Sequence, residues 1–389
     1  MRNIKYIYIA FCLSISCKND THLIAKAINP ETSKELLANK TERLSQGYID
    51  SMRIEIDKFY KSNWKNNSFN GGFLVAKNGQ IIFERYNGFA NLKNKTLVIE
   101  TTPIHTASVS KVITATAILK LIDEEKIALN QKLNTILPTF PFENVTIKTL
   151  LNHRSGLKNY THFTYDKKIW DYKKTLTNTD VLNILASGKV PLEYKTDTHF
   201  AYCNTNYALL ALVIEKITGL KYPEAMKKMI FEPFEMTNSY VFNYQTDIET
   251  ATPSYKWNNQ KYGMDYLDGV YGDKNIYSTP KDLLKFDLAR NADGYLKVAL
   301  KTQIYHGYSY ENKGSKNYGL GIRMIEWQNG QRFYFHNGWW HGNTTAFITL
   351  PKENLNIICL SNKFNHATYK VKNISALFGN YPFKTEEQE

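Results

Sequence analysis

Between residues 48 and 60 the apolar positions Ile49, Met52, Ile56, Phe59 and Tyr60 fall on one helical face, which predicts an amphipathic helix. The period then changes. In "GGFLVAKNGQIIFERYNGFA" two β-rich runs flank Asn78-Gly79, a pair that favours the two-residue turn of a hairpin. Near the far end, "TTAFITLPKENLNIICLSN" repeats the form around a proline-containing turn. Between the hairpins the pattern is mostly helical. Residues 109–122 are apolar on nearly every face, the mark of a buried helix. Residues 145–152 predict a short helix ending near Gly156, and residues 206–218 an apolar one stopped by Gly219. Residues 222–231 and 280–290 complete the set. The economical arrangement is α/β: one antiparallel sheet built from both hairpins, interrupted by a helical lobe.

The first residues change the picture. "MRNIKYIYIAFCLSISC" carries Arg2 and Lys5, an apolar stretch from Tyr6, and small residues running into Cys17, the regions of a signal peptide. It is too short to span a bilayer. "LSISC" resembles the relaxed lipobox of bacterial lipoproteins, whose cysteine is lipidated and becomes the new N-terminus. Plain cleavage nearby is the alternative, and the leucine lies one place further out than usual. Residues 18–46 read as a polar tether with a short helix around residues 35–43. One domain is expected over residues 47–380: an α/β part from 47–145 and 250–380, and a mainly helical lobe from 146–249. The expected location is the periplasm, or a membrane reached through the lipid anchor alone.

The net charge of +13 raises nucleic acid as a partner. Yet the lysines are scattered singly among acids, with no basic stripe and no recognition helix, so a solvated basic surface is the better reading. Of four cysteines, Cys12 and Cys17 belong to the leader. Cys203 and Cys359 are too few for a disulfide framework, and no Cys-x-x-Cys zinc pattern occurs.

Candidate chemistry starts from serine. Gly-x-Ser-x-Gly, Walker loops and His-Glu-x-x-His are absent, while Ser-x-x-Lys occurs four times, at Ser62, Ser108, Ser155 and Ser278. Only Ser108 opens a long apolar helix. Residues three apart share a helix face, so Lys111 would hold its amine against the Ser108 hydroxyl, where burial disfavours an ammonium. A capping serine beside a surface lysine is the bland alternative. Tyr-x-Asn occurs twice. The copy at Tyr310 lies in a polar loop; the copy at Tyr202 precedes a buried helix, where strand alternation would aim Tyr202 and Asn204 into one cleft and Cys203 into the core. "FHNGWWHG" offers His336 and His341 as metal ligands, but no third ligand is identifiable and the other motifs need no metal or cofactor.

At these residues the chain resembles the serine β-lactamase and penicillin-binding-protein superfamily, in its class C-like branch. "HTASVSKVITATAILKLIDEEKIALNQKLNTILP" is similar to its nucleophile helix, "VTIKTLLNHRSGL" to its Leu-Leu-x-His-x-Ser-Gly-Leu signature, and "FAYCNTNYALLALVIEKITG" to its Tyr-x-Asn segment. "GDKNIYSTPKDLLKFDLA" resembles its Ser-Thr-x-x-Asp-Leu stretch, with Asn275 where glycine is common. The resemblance runs from about residue 54 to 362 and implies a β-lactamase/D,D-peptidase-like fold. It implies Ser108 as acylated nucleophile, Lys111 as proton acceptor or relay, Tyr202 as base and acid, and Asn204 as the residue orienting substrate and Lys111. His336-Asn337-Gly338 fits the Lys- or His-x-Gly strand element. There Gly338 leaves room for substrate, and the Trp339 N–H joins that of Ser108 as an oxyanion hole. His153 and Ser155 read as shaping a loop. Tyr277, Ser278 and Trp340 read as cleft or core, and His341 as part of a turn.

The implied activity is a serine hydrolase acting on a D-amino-acid peptide, a peptidoglycan stem peptide, or a small ester or amide. A true β-lactamase is the alternative within the chemistry. A non-catalytic envelope protein that binds penicillin or peptidoglycan is the alternative outside it. A histidine at 336 is mostly neutral at pH 7 and offers no permanent cation for a lactam carboxylate, which speaks against the lactamase.

Overall fold

The computed structural model describes residues 42–312 and 314–383. The leader with Cys17, the tether up to residue 41 and most of the short helix expected there lie outside the described residues.

Helix α1 (Gln46–Asn63) starts at Ser45, whose side chain accepts the Tyr48 N–H as an N-cap. Strands β1 (Gly71–Lys77) and β2 (Gln80–Asn87) follow, joined by Asn78 and Gly79 at φ +53° and +70°. Positive φ at both centres is what the strand twist demands of a two-residue turn. β3 (Phe89–Asn91) and β4 (Thr96–Leu97) make a small ribbon, and β5 (Ile104–His105) leads through a 3₁₀ turn, Ala107–Val109, into α2 (Ser110–Asp123). The lobe contributes α3 (Ile147–Leu151), α4 (Tyr160–Phe163), α5 (Asn178–Ala186), α6 (Asn204–Thr218) and α7 (Tyr222–Met226). β6 (Tyr240–Val241) and β7 (Ile276–Ser278) join β5 in a three-stranded sheet ordered β5-β7-β6. Then come α8 (Pro280–Asn291), α9 (Val298–Ile304), β8 (Lys316–Tyr318), β9 (Arg323–Glu326), β10 (Arg332–Trp340), β11 (Asn343–Leu350), β12 (Leu355–Ser361) and a 3₁₀ run, His366–Leu377.

The main sheet has seven strands in the order β2-β1-β12-β11-β10-β9-β8, every neighbouring pair antiparallel. Gly71 registers with Ser361 and Lys77 with Leu355, so the two hairpins expected from sequence meet edge to edge. Alternation then builds two cores. Phe73, Val75, Ile348, Ile357 and Cys359 pack with α1 and the terminal 3₁₀ run; Leu74, Ala76, Phe347, Ile358 and Leu360 face α2, α6 and α8. Both faces are covered, which is why these strands read as nearly continuous apolar runs.

Helix α2 is buried from Ser110 to Leu119 and packs on α6, whose end at Gly219 takes φ +70°. Residues 222–231, expected as one helix, divide into α7 and a π turn, Lys227–Phe231. Helix α5 and the three-stranded sheet escaped the sequence reading. α5 does carry a capping box, Thr177 with Asp180, but strands of two or three residues show no alternation. Cys203 and Cys359 are buried and free, so no disulfide joins them. Among the described residues no helix is long and apolar enough to cross a membrane.

Candidate active site

Ser108 stands in the turn that feeds α2, and the residue before it, Ala107, holds φ +48°. A left-handed alanine is unfavourable and persists only where neighbours fix it. Here the Ala107 N–H donates to His105 Nδ1 at 3.0 Å. Lys111, in the first turn of α2, is fully buried. Its Nζ donates to Ser108 Oγ at 3.2 Å and to the Asp273 main-chain oxygen at 2.8 Å. The rings of Tyr202 and Tyr207 lie 5.1 and 5.8 Å from the same nitrogen. The other three Ser-x-x-Lys copies have different uses. Ser62 Oγ donates to Phe59 O within α1, Ser155 Oγ donates to Asn206 Oδ1, and Ser278 Oγ pairs with Ser239 Oγ.

The segment before α6 supplies Tyr202 and Asn204. Cys203 between them is extended (φ −139°) and buried, as alternation required. The Tyr202 hydroxyl and Asn204 Oδ1 are both buried with no hydrogen-bond partner. Buried polar atoms are rarely left so, and the Tyr202 ring lies beside the Lys111 amine. His153 supports the segment from behind. At φ +59° its Nδ1 accepts the Cys203 N–H at 3.2 Å, and its ring lies 4.4 Å from that of Tyr202. Burial, then the charges of Lys111 and Arg323, hold its imidazole well below the ordinary histidine range. The copy at Tyr310 is 64% exposed and its hydroxyl donates to Glu326.

One expectation needs correcting. No hydrogen bond joins Asn204 to Lys111; the Asp273 carbonyl orients the amine instead. Asp273 follows Gly272, where a Cβ would meet Tyr207 O at 2.4 Å and Ala211 Cβ at 2.7 Å. Glycine lets that loop press onto α6, and the "GDKN" string was the only sequence signal for it.

The other wall is β10. Its pairing with β9 ends at Phe335, so from His336 onward only β11 borders it. Gly338 lies against the nucleophile turn: a Cβ there would stand 2.6 Å from Thr106 O, 2.9 Å from Ala107 Cβ and 2.2 Å from Thr345 Oγ1. Trp339 follows, its side chain 63% exposed. His336 is fully buried, Nδ1 2.9 Å from Asn337 O and Nε2 3.1 Å from the Tyr318 hydroxyl. Burial, with Arg323 and Lys111 nearby, drives its pKa well down. It is a neutral strut, not a cation. The cation of this wall is Arg323, whose guanidinium sits 4.4 Å from the Tyr202 ring centre. Nothing in its local sequence marks it.

His341 is more than part of a turn. Its Nε2 lies 3.0 Å from both carboxylate oxygens of Asp268, and Trp340 Nε1 donates to Asp268 Oδ1 at 2.7 Å. Burial works to raise the Asp268 pKa, but His341, the Asp265 N–H and Trp340 outweigh it and hold the carboxyl below its usual value. Asp265, Asp268 and His341 bring ligand atoms within 4.8 Å of one another, a grouping hidden by their separation in sequence. The Asp268 oxygens are already engaged by Trp340, His341 and the Asp265 N–H. His336 has no part in the cluster. Beside it lies a cavity of about 350 Å³ walled by His105, Asp268, Asn275, Tyr277, Trp340 and His341.

Comparison with known proteins bears on the fold and the family. A penicillin-binding protein of Bacillus subtilis (strain 168) is 29% identical over 356 residues, covering 86% of this chain and 78% of the relative. A teichoic acid D-alanine hydrolase of Staphylococcus aureus is 28% identical over 259 residues, 66% of this chain and 62% of that protein. The crystal structure of a penicillin-binding protein from Bacillus halodurans superposes with a TM-score of 0.71 at 25% identity, covering 82% of this chain and 98% of the other. The family model described as beta-lactamase matches residues 56–378, and the chain belongs to that family of serine hydrolases.

Proposed function

We propose that the protein hydrolyses a D-amino-acid peptide, a stem peptide or a small ester or amide through an acyl-enzyme on Ser108. The observation that carries this reading is the 3.2 Å contact of a fully buried Lys111 Nζ with Ser108 Oγ. Ser108 Oγ attacks the carbonyl carbon, and its proton passes to Lys111 and, by way of Tyr202, to the leaving group. Water then attacks the ester carbonyl, its proton passing by way of Tyr202 to Ser108 Oγ as the ester C–O bond breaks, and the free Ser108 hydroxyl and the carboxylic acid are released. The N–H groups of Ser108 and Trp339 hold the oxyanion, a placement supported by the close approach of Gly338 to Thr106 and Ala107. Asn204 Oδ1, without a protein partner, is available to a substrate N–H.

Arg323 narrows the substrate. A guanidinium on the Tyr202 ring supplies the charge that His336 lacks and favours a carboxylate near the scissile bond. The relatives' names, penicillin-binding and D-alanine hydrolase, put D-alanyl groups in the same range. A leader ending at Cys17 would place the enzyme in the envelope where such groups occur. A β-lactamase is the second reading; a neutral, buried His336 speaks against it.

Fluorophosphonate or fluorescent penicillin should label the wild type and fail on Ser108→Ala. Labelling that survives Ser108→Ala sinks the assignment. Failure to label the wild type, with muropeptide binding retained, favours the non-catalytic binding protein. Rates on p-nitrophenyl esters, D-amino-acid p-nitroanilides and nitrocefin then rank the substrates, and fast nitrocefin turnover would favour the lactamase.

A further inference from the structure

The two oxyanion donors of this reading lie on backbone that regular pairing secures only in part, with Thr106 held by Ile276 O and Thr345 Oγ1 and the strand by β11. Ser108 follows a left-handed alanine, and Trp339 lies on a stretch of strand bordered on one side only. One residue reaches both. The Asp268 carboxylate takes Trp340 Nε1 and His341 Nε2, the two residues after Trp339. Its main-chain oxygen takes Asn275 Nδ2 at 2.7 Å; Asn275 Oδ1 lies 3.1 Å from His105 Nε2; and His105 Nδ1 takes the Ala107 N–H at 3.0 Å.

The directions agree at every link. An amide N–H can only donate, so His105 Nδ1 is bare and Nε2 carries the hydrogen. That hydrogen suits Asn275 Oδ1, and the Asn275 NH₂ then faces two carbonyls, Asp268 O and Val270 O. Burial lowers His105 to a pKa of about 4, which keeps Nδ1 free to accept. Asn275 is itself at φ +73°, a conformation that glycine adopts without steric cost. Its side chain is therefore not needed for the turn.

We propose that Asp268 and Asn275 are positioning residues that tie both halves of the oxyanion hole to one loop, Asp268 holding the strand side and Asn275, through His105, the nucleophile side. This rests on the acyl-serine reading. The decisive variant is Asn275→Gly, which keeps the backbone conformation and removes the amide.

Pre-steady-state hydrolysis of p-nitrophenyl acetate separates initial binding, acylation and deacylation. Loss of oxyanion alignment slows acylation and deacylation together, each about tenfold on the low side of losing a whole donor, with initial binding unchanged. A merely structural change would shift binding or the melting temperature without this paired loss. Should Asn275→Gly fail to fold by circular dichroism, Asp268→Asn is expected to show the same paired loss from the strand side. Wild-type acylation and deacylation in the folded variants, while Ser108→Ala is inactive, overturns the positioning role alone. Acylation that persists in Ser108→Ala overturns the parent reading and this one with it.

Discussion

Arg323 covers the Tyr202 ring at 4.4 Å, and no carboxylate among the described residues forms an ion pair with it. A cation so placed is free for substrate. Arg323→Ala should raise KM for D-alanyl peptides with a free carboxylate by roughly tenfold or more, the scale of a charge-assisted hydrogen bond. Neutral p-nitrophenyl esters should be little affected. Equal losses on both substrate types would show that Arg323 acts only by packing on Tyr202.

Replacing Lys111 tests proton transfer. Lys111→Met keeps the length and apolar stem but removes both bonds of the amine. The rate of covalent labelling should fall about 10²- to 10⁴-fold, the usual worth of a positioned acid–base group. A variant that melts like the wild type yet labels at its rate would remove Lys111 from the mechanism.

Gly338→Ala puts a methyl 2.6 Å from Thr106 O and 2.2 Å from Thr345 Oγ1, so β10 and the nucleophile turn must separate. Acylation should drop by about 10² or more, as when an oxyanion donor is lost. Stability should fall as well, by about 1–3 kcal/mol, the usual cost of overpacking a buried site. Wild-type labelling by this variant would mean that the strand does not serve the oxyanion.

Three buried histidines give a pH signature. His105, His153 and His336 all have folded-state values below the ordinary 6.5, in each case first through burial. The unfolded chain therefore binds more protons as pH falls below 6.5, and stability is lost from there downward. Each contributes a slope of about 1.4 kcal/mol per pH unit once its unfolded form is protonated. For His105 the loss ends near its folded value of about 4. Thermal melts should weaken steeply between pH 6.5 and 4; a melting temperature flat over that interval would contradict neutral burial.

Local contacts were the legible ones. Ser108 and Lys111 are three residues apart, and the asparagine–glycine turn fixes the first hairpin by itself, so both could be read from the string. Tyr202 and Asn204 were singled out by their place before an apolar helix. Arg323, Asp268 and the Asp273 carbonyl were not, because each acts across more than sixty residues of chain on a partner that only the fold brings near. His341 does sit in the turn expected of it, but its contact with Asp268 was hidden for the same reason. Asn275 was noticed as a departure from glycine, but only its bonds to His105 and Asp268 show what the side chain does.

Strand β1 is bordered by β2 and by β12, and the second partner ends at Ser361. On a ribosome, Gly71 waits until Ser361 has been made to receive it. Closing so long a loop makes folding slow and late, since the entropy of closure comes due before the contacts that offset it. The early hairpin and the nucleophile helix meanwhile carry uncovered apolar faces, prone to association. A nascent chain of this design therefore keeps its main sheet open until β12 is present to close it.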